Sequence, residues 1–119
     1  MAVKNYTDLK LWQKSIQFVK EVYKATEDFP KREHFGLAAQ IRKTAVSIAS
    51  NIAEGSARQS DKEFNQFLII ARGSMAELHT QLIIAHECGF VAKEVLDDLV
   101  AKLNEIGRML HALRRTLIN

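Results

Sequence analysis

The sequence predicts an all-α chain, folded as one antiparallel, up-down-up-down four-helix bundle over residues 1–119. Three observations carry that reading. Apolar residues recur at steps of three and four through four successive segments. One proline and five glycines are too few for the tight turns of an all-β domain. The segments between the periodic runs are short, so consecutive helices become antiparallel neighbours.

The first helix is expected to start near Asp8, with Thr7 or Asp8 as its N-cap. Leu9, Trp12, Ile16, Val19, Tyr23 and Thr26 form its stripe, and Phe29-Pro30 ends it, because proline cannot continue the ladder. The second is expected to begin between Arg32 and His34, with Leu37, Ile41, Ala45, Ile48 and Ile52 facing the core and Gly55-Ser56 at its end. Ser60-Asp61-Lys62-Glu63 reads as a capping box opening the third helix. Phe64, Leu68, Ala71, Met75, Leu78, Leu82 and Ala85 follow as a complete stripe, closed by Cys88-Gly89. The fourth has Ala92 where a polar cap is usual, then Val95, Leu99, Leu103, Ile106, Leu110, Leu113 and Leu117.

Some apolar residues fall on sides that should be wet. Ile69, Ala76 and Ile83 lie about 140° from the core face of the third helix by helical geometry. Ala39, Val46 and Ala53 do the same on the second, beside Ala49. Scattered surface apolar residues are common. A contiguous patch across two helices at seven-residue spacing instead predicts a surface covered by a second subunit, with Val46, Ala53, Ile69, Ala76 and Ile83 in it.

Polar residues cluster where the second and third helices should touch: Gln40, Ser47, Asn51 and Glu54 with Gly73, Ser74, Glu77 and Gln81. They read as a register-fixing seam, with Gly73 allowing close approach. A catalytic reading is weak, because a lone glutamate there has no partner base or nucleophile.

Other chemistry is missing from the sequence. No Glu-x-x-His, phosphate-binding glycine loop, Cys-x-x-Cys or serine elbow occurs, so no cofactor, metal or catalytic residue is predicted. The single Cys88 cannot form an intrachain disulfide, which suits a reducing, cytoplasmic compartment. Met1–Tyr6 lacks the apolar run of a signal peptide, and no apolar stretch is long enough to span a membrane. The net charge of +3 permits nucleic-acid binding without demanding it. The strongest candidate for it is the end of the fourth helix, where Arg108 and Arg115 share one side with Arg114 beside them and Lys102 before them. Cations there also favour the helix dipole with no ligand at all. Arg42, Lys43 and Arg72 are the next candidates.

Several segments resemble one family: Tyr6-Thr7-Asp8-Leu9 with Trp12, Phe29-Pro30, Glu33-His34-Phe35-Gly36-Leu37, Gln40-Ile41-Arg42, Asn51-Ile52-Ala53-Glu54-Gly55, Phe64 to Leu68, and Gly73-Ser74 with Glu77-Leu78. In this order they resemble the bacterial four-helix-bundle proteins encoded by intervening sequences inside 23S ribosomal RNA genes, over essentially the whole chain. The resemblance implies a homo-oligomeric ring, typically a pentamer. Through a similarity to the accessory protein of diversity-generating retroelements, it also implies binding to a reverse transcriptase and to RNA or DNA. It carries over no catalytic residues. The expectation is a non-enzymatic oligomeric adaptor for nucleic acid or a nucleoprotein; the alternative is a purely protein-binding module.

Overall fold

The computed structural model describes residues 5–118, so the reading of Met1–Lys4 as no signal peptide lies outside the described residues. The helices are α1 (Lys10–Thr26), α2 (Leu37–Ser56), α3 (Asp61–Glu87) and α4 (Lys93–Ile118), with short 3₁₀ turns at Tyr6–Asp8 and Lys31–Glu33. No strand occurs among the described residues. Each helix borders its sequence neighbours, and α4 closes back on α1, leaving α1/α3 and α2/α4 as the diagonals. Pairings across α3 and α4 run in opposite directions: Arg114 meets Asn65, and Met75 meets Gly107. The same holds for α1 and α4, where Lys14 meets Glu105 and Glu21 meets Lys102. The result is a rod of 44 × 23 × 20 Å.

α1 starts later than its sequence suggests. Asn5, not Thr7 or Asp8, is the capping residue: its Oδ1 accepts the Thr7 N–H at 2.9 Å and opens the 3₁₀ turn. Leu9 is extended, and α1 begins at Lys10. Its buried face is also rotated by one position from the predicted stripe. Leu11, Ser15, Phe18, Val22 and Thr26 are buried, whereas Trp12, Ile16 and Val19 are half-buried and Tyr23 is exposed. Ser15 disguises the true face, whereas Thr26 is buried as predicted. Ser15 donates to the Leu11 carbonyl at 2.8 Å and Thr26 to the Val22 carbonyl at 2.9 Å, so both enter the core satisfied.

α2 begins at Leu37 rather than near Arg32 to His34, because the residues after Pro30 take a 3₁₀ turn and Gly36 breaks direction. The Glu33 carboxylate then accepts the Leu37 N–H at 3.2 Å. Ile41, Ala45, Ile48 and Ile52 are buried as predicted. The close approach of α2 and α3 is at Gly55: a Cβ there would meet Phe67 Cβ at 2.7 Å and Phe64 Cδ1 at 3.0 Å. Gly73 does not mark it. It is exposed, with nothing within 4 Å of a built Cβ.

At the start of α3, Ser60 Oγ accepts the Glu63 N–H at 3.1 Å and donates to the Glu63 carboxylate. All seven residues of the predicted α3 stripe are buried. Gly89, at φ +80°, ends the helix in a left-handed conformation. Its N–H reaches the His86 carbonyl, and the Phe90 N–H reaches the Ala85 carbonyl at 2.8 Å. In α4 the Ala92 carbonyl accepts the Leu96 N–H, placing Ala92 at the cap. Leu96 is buried where Val95 was expected, and Val95 is 39% exposed. The rest of the α4 stripe is core.

Candidate nucleic-acid interface

The structure divides the predicted basic residues into those already engaged and those free to meet a ligand. Arg42 is engaged. Its Nε donates to Thr26 Oγ1 at 2.7 Å, its Nη2 to the Tyr23 carbonyl at 3.2 Å, and its guanidinium lies 4.7 Å from the Tyr23 ring centroid. It therefore clamps the end of α1 to α2. Lys102 is engaged too, by Glu21 and by Asp98 at 2.9 Å. Its hydrogen bond to Glu21, then that to Asp98, raises the ammonium above the ordinary lysine pKa. Arg114 is half-buried and donates from Nε to Asn65 Oδ1 at 2.8 Å. Lys43 is exposed on α2, apart from the others.

Arg72, Arg108 and Arg115 come together. They line a groove between α3 and α4 with His79 and His111, over a floor of Met75, Ala76, Leu103 and Gly107, with Asn104 alongside. The groove is open to solvent, with a volume of about 700 Å³, and among the described residues no acidic side chain lines it. Among the described residues, no ion pair engages these three arginines. The groove between α1 and α4 differs: Glu21 and Glu105 there face Lys10, Lys14 and Lys102. A second groove, beside Phe90 and Val91, carries Glu21, Asp28, Glu94 and Asp98 against Lys24 alone. Only the α3/α4 groove among these joins several cations without a carboxylate.

Sequence spacing placed Arg108 and Arg115 on one side of α4, and they do share the groove. It also grouped Lys102 and Arg114 with them, and neither lines it. Arg72 and His79 enter because α3 packs antiparallel to α4; the short connection predicts that pairing, but not which side chains meet across it. His86, seven residues beyond His79, is occupied elsewhere: its Nδ1 lies 2.9 Å from the Val91 carbonyl. Among the described residues, no group of three His, Cys, Asp or Glu side chains is placed to hold a metal.

The outward apolar residues divide into two surfaces rather than one patch. Val46 and Ala53 turn toward α1, lining a groove of about 260 Å³ with Tyr6, Trp12, Ile16 and Val19. Ile69 and Ile83, 39% and 42% exposed, lie along α3, where Ala76 turns toward α4. Ala49 is buried, and it lines that α1/α2 groove beside Val46 and Ala53. The predicted polar seam between α2 and α3 is likewise redirected. Thr44 donates to the Gln40 carbonyl, Ser47 to the Thr44 carbonyl and Asn51 to the Ser47 carbonyl, all within α2. Glu54 pairs with Arg58 one turn on. Gln40, Gly73 and Glu77 are exposed and Ser74 is half-buried. Side-chain hydroxyls and amides reach carbonyls of their own helix at no cost in register, so they need no partner across the seam. Gln81 is the exception: it is buried on α3, and its Oε1 meets no donor among the described residues.

Together these features define a small all-α bundle in which, among the described residues, the α3/α4 groove is cationic without an acidic side chain and the outward apolar residues fall on two surfaces. No described helix is long and apolar enough to cross a membrane. The family model of the 23S rRNA-intervening sequence protein matches residues 7–112, and the chain belongs to that family. No curated protein matches the chain.

Proposed function

We propose that the protein is a non-enzymatic, cytoplasmic, homo-oligomeric adaptor that binds nucleic acid, or a nucleoprotein such as a reverse transcriptase with its RNA, through the α3/α4 groove. One observation carries this reading: Arg72, Arg108 and Arg115 line one groove from two helices, and among the described residues no carboxylate lines it with them. Guanidiniums that share a groove favour an anion there, and phosphate oxygens accept their hydrogen bonds in bidentate fashion. A single groove gives few contacts. A ring, of five copies in the arrangement the family resemblance implies, repeats it along one backbone and gains avidity.

The apolar surfaces support the oligomer. One lines the α1/α2 groove, and the other, with Ile69 and Ile83, lies along α3 outside the α3/α4 groove. Two different complementary patches suit a head-to-tail contact, which closes into a ring when the rotation allows. The same surfaces also favour a second reading, a protein-binding module with no affinity for nucleic acid.

The test is RNA binding by fluorescence anisotropy over a range of salt. Three phosphate contacts per protomer give a slope of log K against log salt of about −2 per engaged protomer for a single strand. The triple variant Arg72→Ala, Arg108→Ala, Arg115→Ala should keep its helicity and mass, bind RNA more weakly and show a flatter slope. Wild-type protein that binds no RNA at low salt would leave the protein-only reading in its place.

A further inference from the structure

We infer that the α3/α4 groove takes single-stranded nucleic acid in preference to duplex, seating an unstacked base between its cationic walls. This deepens the nucleic-acid reading and rests on it. Three features of the groove carry it.

The first is the choice of cation. Ten of the 17 basic residues are lysines, yet none lines the groove. Every cationic or ionisable group there is flat: three guanidiniums and two of the chain's four imidazoles. A site that only gathers phosphates is served as well by lysine, a point charge on a flexible stem. Flat, delocalised groups also stack on the faces of bases, which is how proteins hold unstacked nucleotides. The second is the floor. Met75, Ala76, Leu103 and Gly107 are apolar or lack a side chain, and they have nothing to offer a phosphate. A base face is the part of a nucleotide that gains from such a surface. In a duplex that face is already stacked and paired.

The third is room. Gly107 keeps the floor low: a Cβ there would stand 3.3 Å from Met75 Cε. The groove's 700 Å³ falls within the roughly 300–1,000 Å³ of small-molecule sites, enough for more than an array of charges. A duplex is a stiff convex rod whose phosphates would reach the arginines on the rim while its bases stayed away from the floor.

The probes are a short unstructured RNA strand, the same strand annealed to its complement, an abasic phosphodiester strand of equal length, and heparin. Anisotropy on the full chain should show the RNA strand binding about tenfold more tightly than the abasic strand of equal charge, the gain expected of roughly one stacked base. It should also bind more tightly than the duplex, although the duplex carries more charge. Gly107→Leu retains every charge and fills the floor, so the ratio of RNA-strand to abasic-strand affinity should fall toward one. The triple exchange Arg72→Lys, Arg108→Lys, Arg115→Lys retains charge without flat groups and should lower the same ratio, which covers the case of a misfolded Gly107 variant. Equal affinity for RNA and abasic strands, or tighter binding of duplex or heparin, would overturn the inference while leaving the groove a polyanion site. Absence of binding to all four probes would overturn the nucleic-acid reading with it.

Discussion

At Gly55 an added methyl group would stand 2.7 Å from the Phe67 Cβ, whereas at Gly73 it would meet nothing within 4 Å. Both glycines lie inside helices, but in sequence Gly55 reads as the end of α2 and only Gly73 as a place of close approach. The structure reverses the two. The first is buried against Phe64 and Phe67; the second faces outward from α3. Opposite responses to the same substitution follow. Gly55→Ala should destabilise the subunit by about 1–3 kcal/mol, because α2 and the start of α3 must move apart. Gly73→Ala should stabilise it by about 1 kcal/mol, because only the backbone entropy of an exposed helical glycine is at stake. Urea unfolding of the two variants measures both. A loss at Gly73 as large as that at Gly55 would contradict this assignment of the close contact.

The helices differ in how well their sequences describe them, for reasons visible in particular side chains. The bounds and core face of α3 were legible, because its capping serine, its seven apolar core residues and its terminal glycine agree. Those of α1 were not, because Ser15 is buried and reads as polar until its carbonyl partner is seen, while Trp12, Ile16 and Val19 read as a core stripe and are only half-buried. The site divides in the same way. Arg108 and Arg115 share a face by spacing alone, but Arg72 joins them across a helix pair. Lys102 looked available because its partner Glu21 lies 81 residues away in sequence. That pair, with Asp98, fastens α4 to α1 and gives a pH-dependent contribution whose sign can be stated. The folded state holds the Lys102 ammonium above its ordinary pKa of 10.5. Its contribution is therefore complete below that value and is lost as pH rises through the raised one. The difference in unfolding midpoint between wild type and Lys102→Met should stay level up to about pH 10.5 and shrink above it. A difference that shrinks already between pH 7 and 9 would show that another group carries it.

At the scale of the whole molecule, the rod has exposed apolar surface that its own core does not use. Ile69, Ile70, Ile83 and Ile84 on α3 are between 39% and 51% exposed. Elsewhere, Trp12, Ile16 and Val19 are only half-buried along the α1/α2 groove that Val46 and Ala53 share. Isolated exposed residues need no explanation, but extended apolar surface is usually covered by another molecule. Seating the α3 surface of one copy against the α1/α2 groove of the next covers both at once, and each copy keeps one donor surface and one acceptor groove. The double substitution Ile69→Lys, Ile83→Lys tests this arrangement. Both positions are exposed in the subunit, so an isolated chain should fold with nearly unchanged helicity. In an assembled ring the two ammonium groups would be buried without partners, at an effective cost of several kcal/mol per ion. Light scattering at micromolar concentration should give an oligomer for wild type and the mass of one chain for the variant, with matching circular dichroism. A control pair on α4, Ala101→Lys with Ala112→Lys, is exposed but lies outside both apolar surfaces and should leave the mass unchanged. Wild-type protein with the mass of one chain would end the ring reading, and an intact oligomer in the Ile69/Ile83 variant would move the contact to another face.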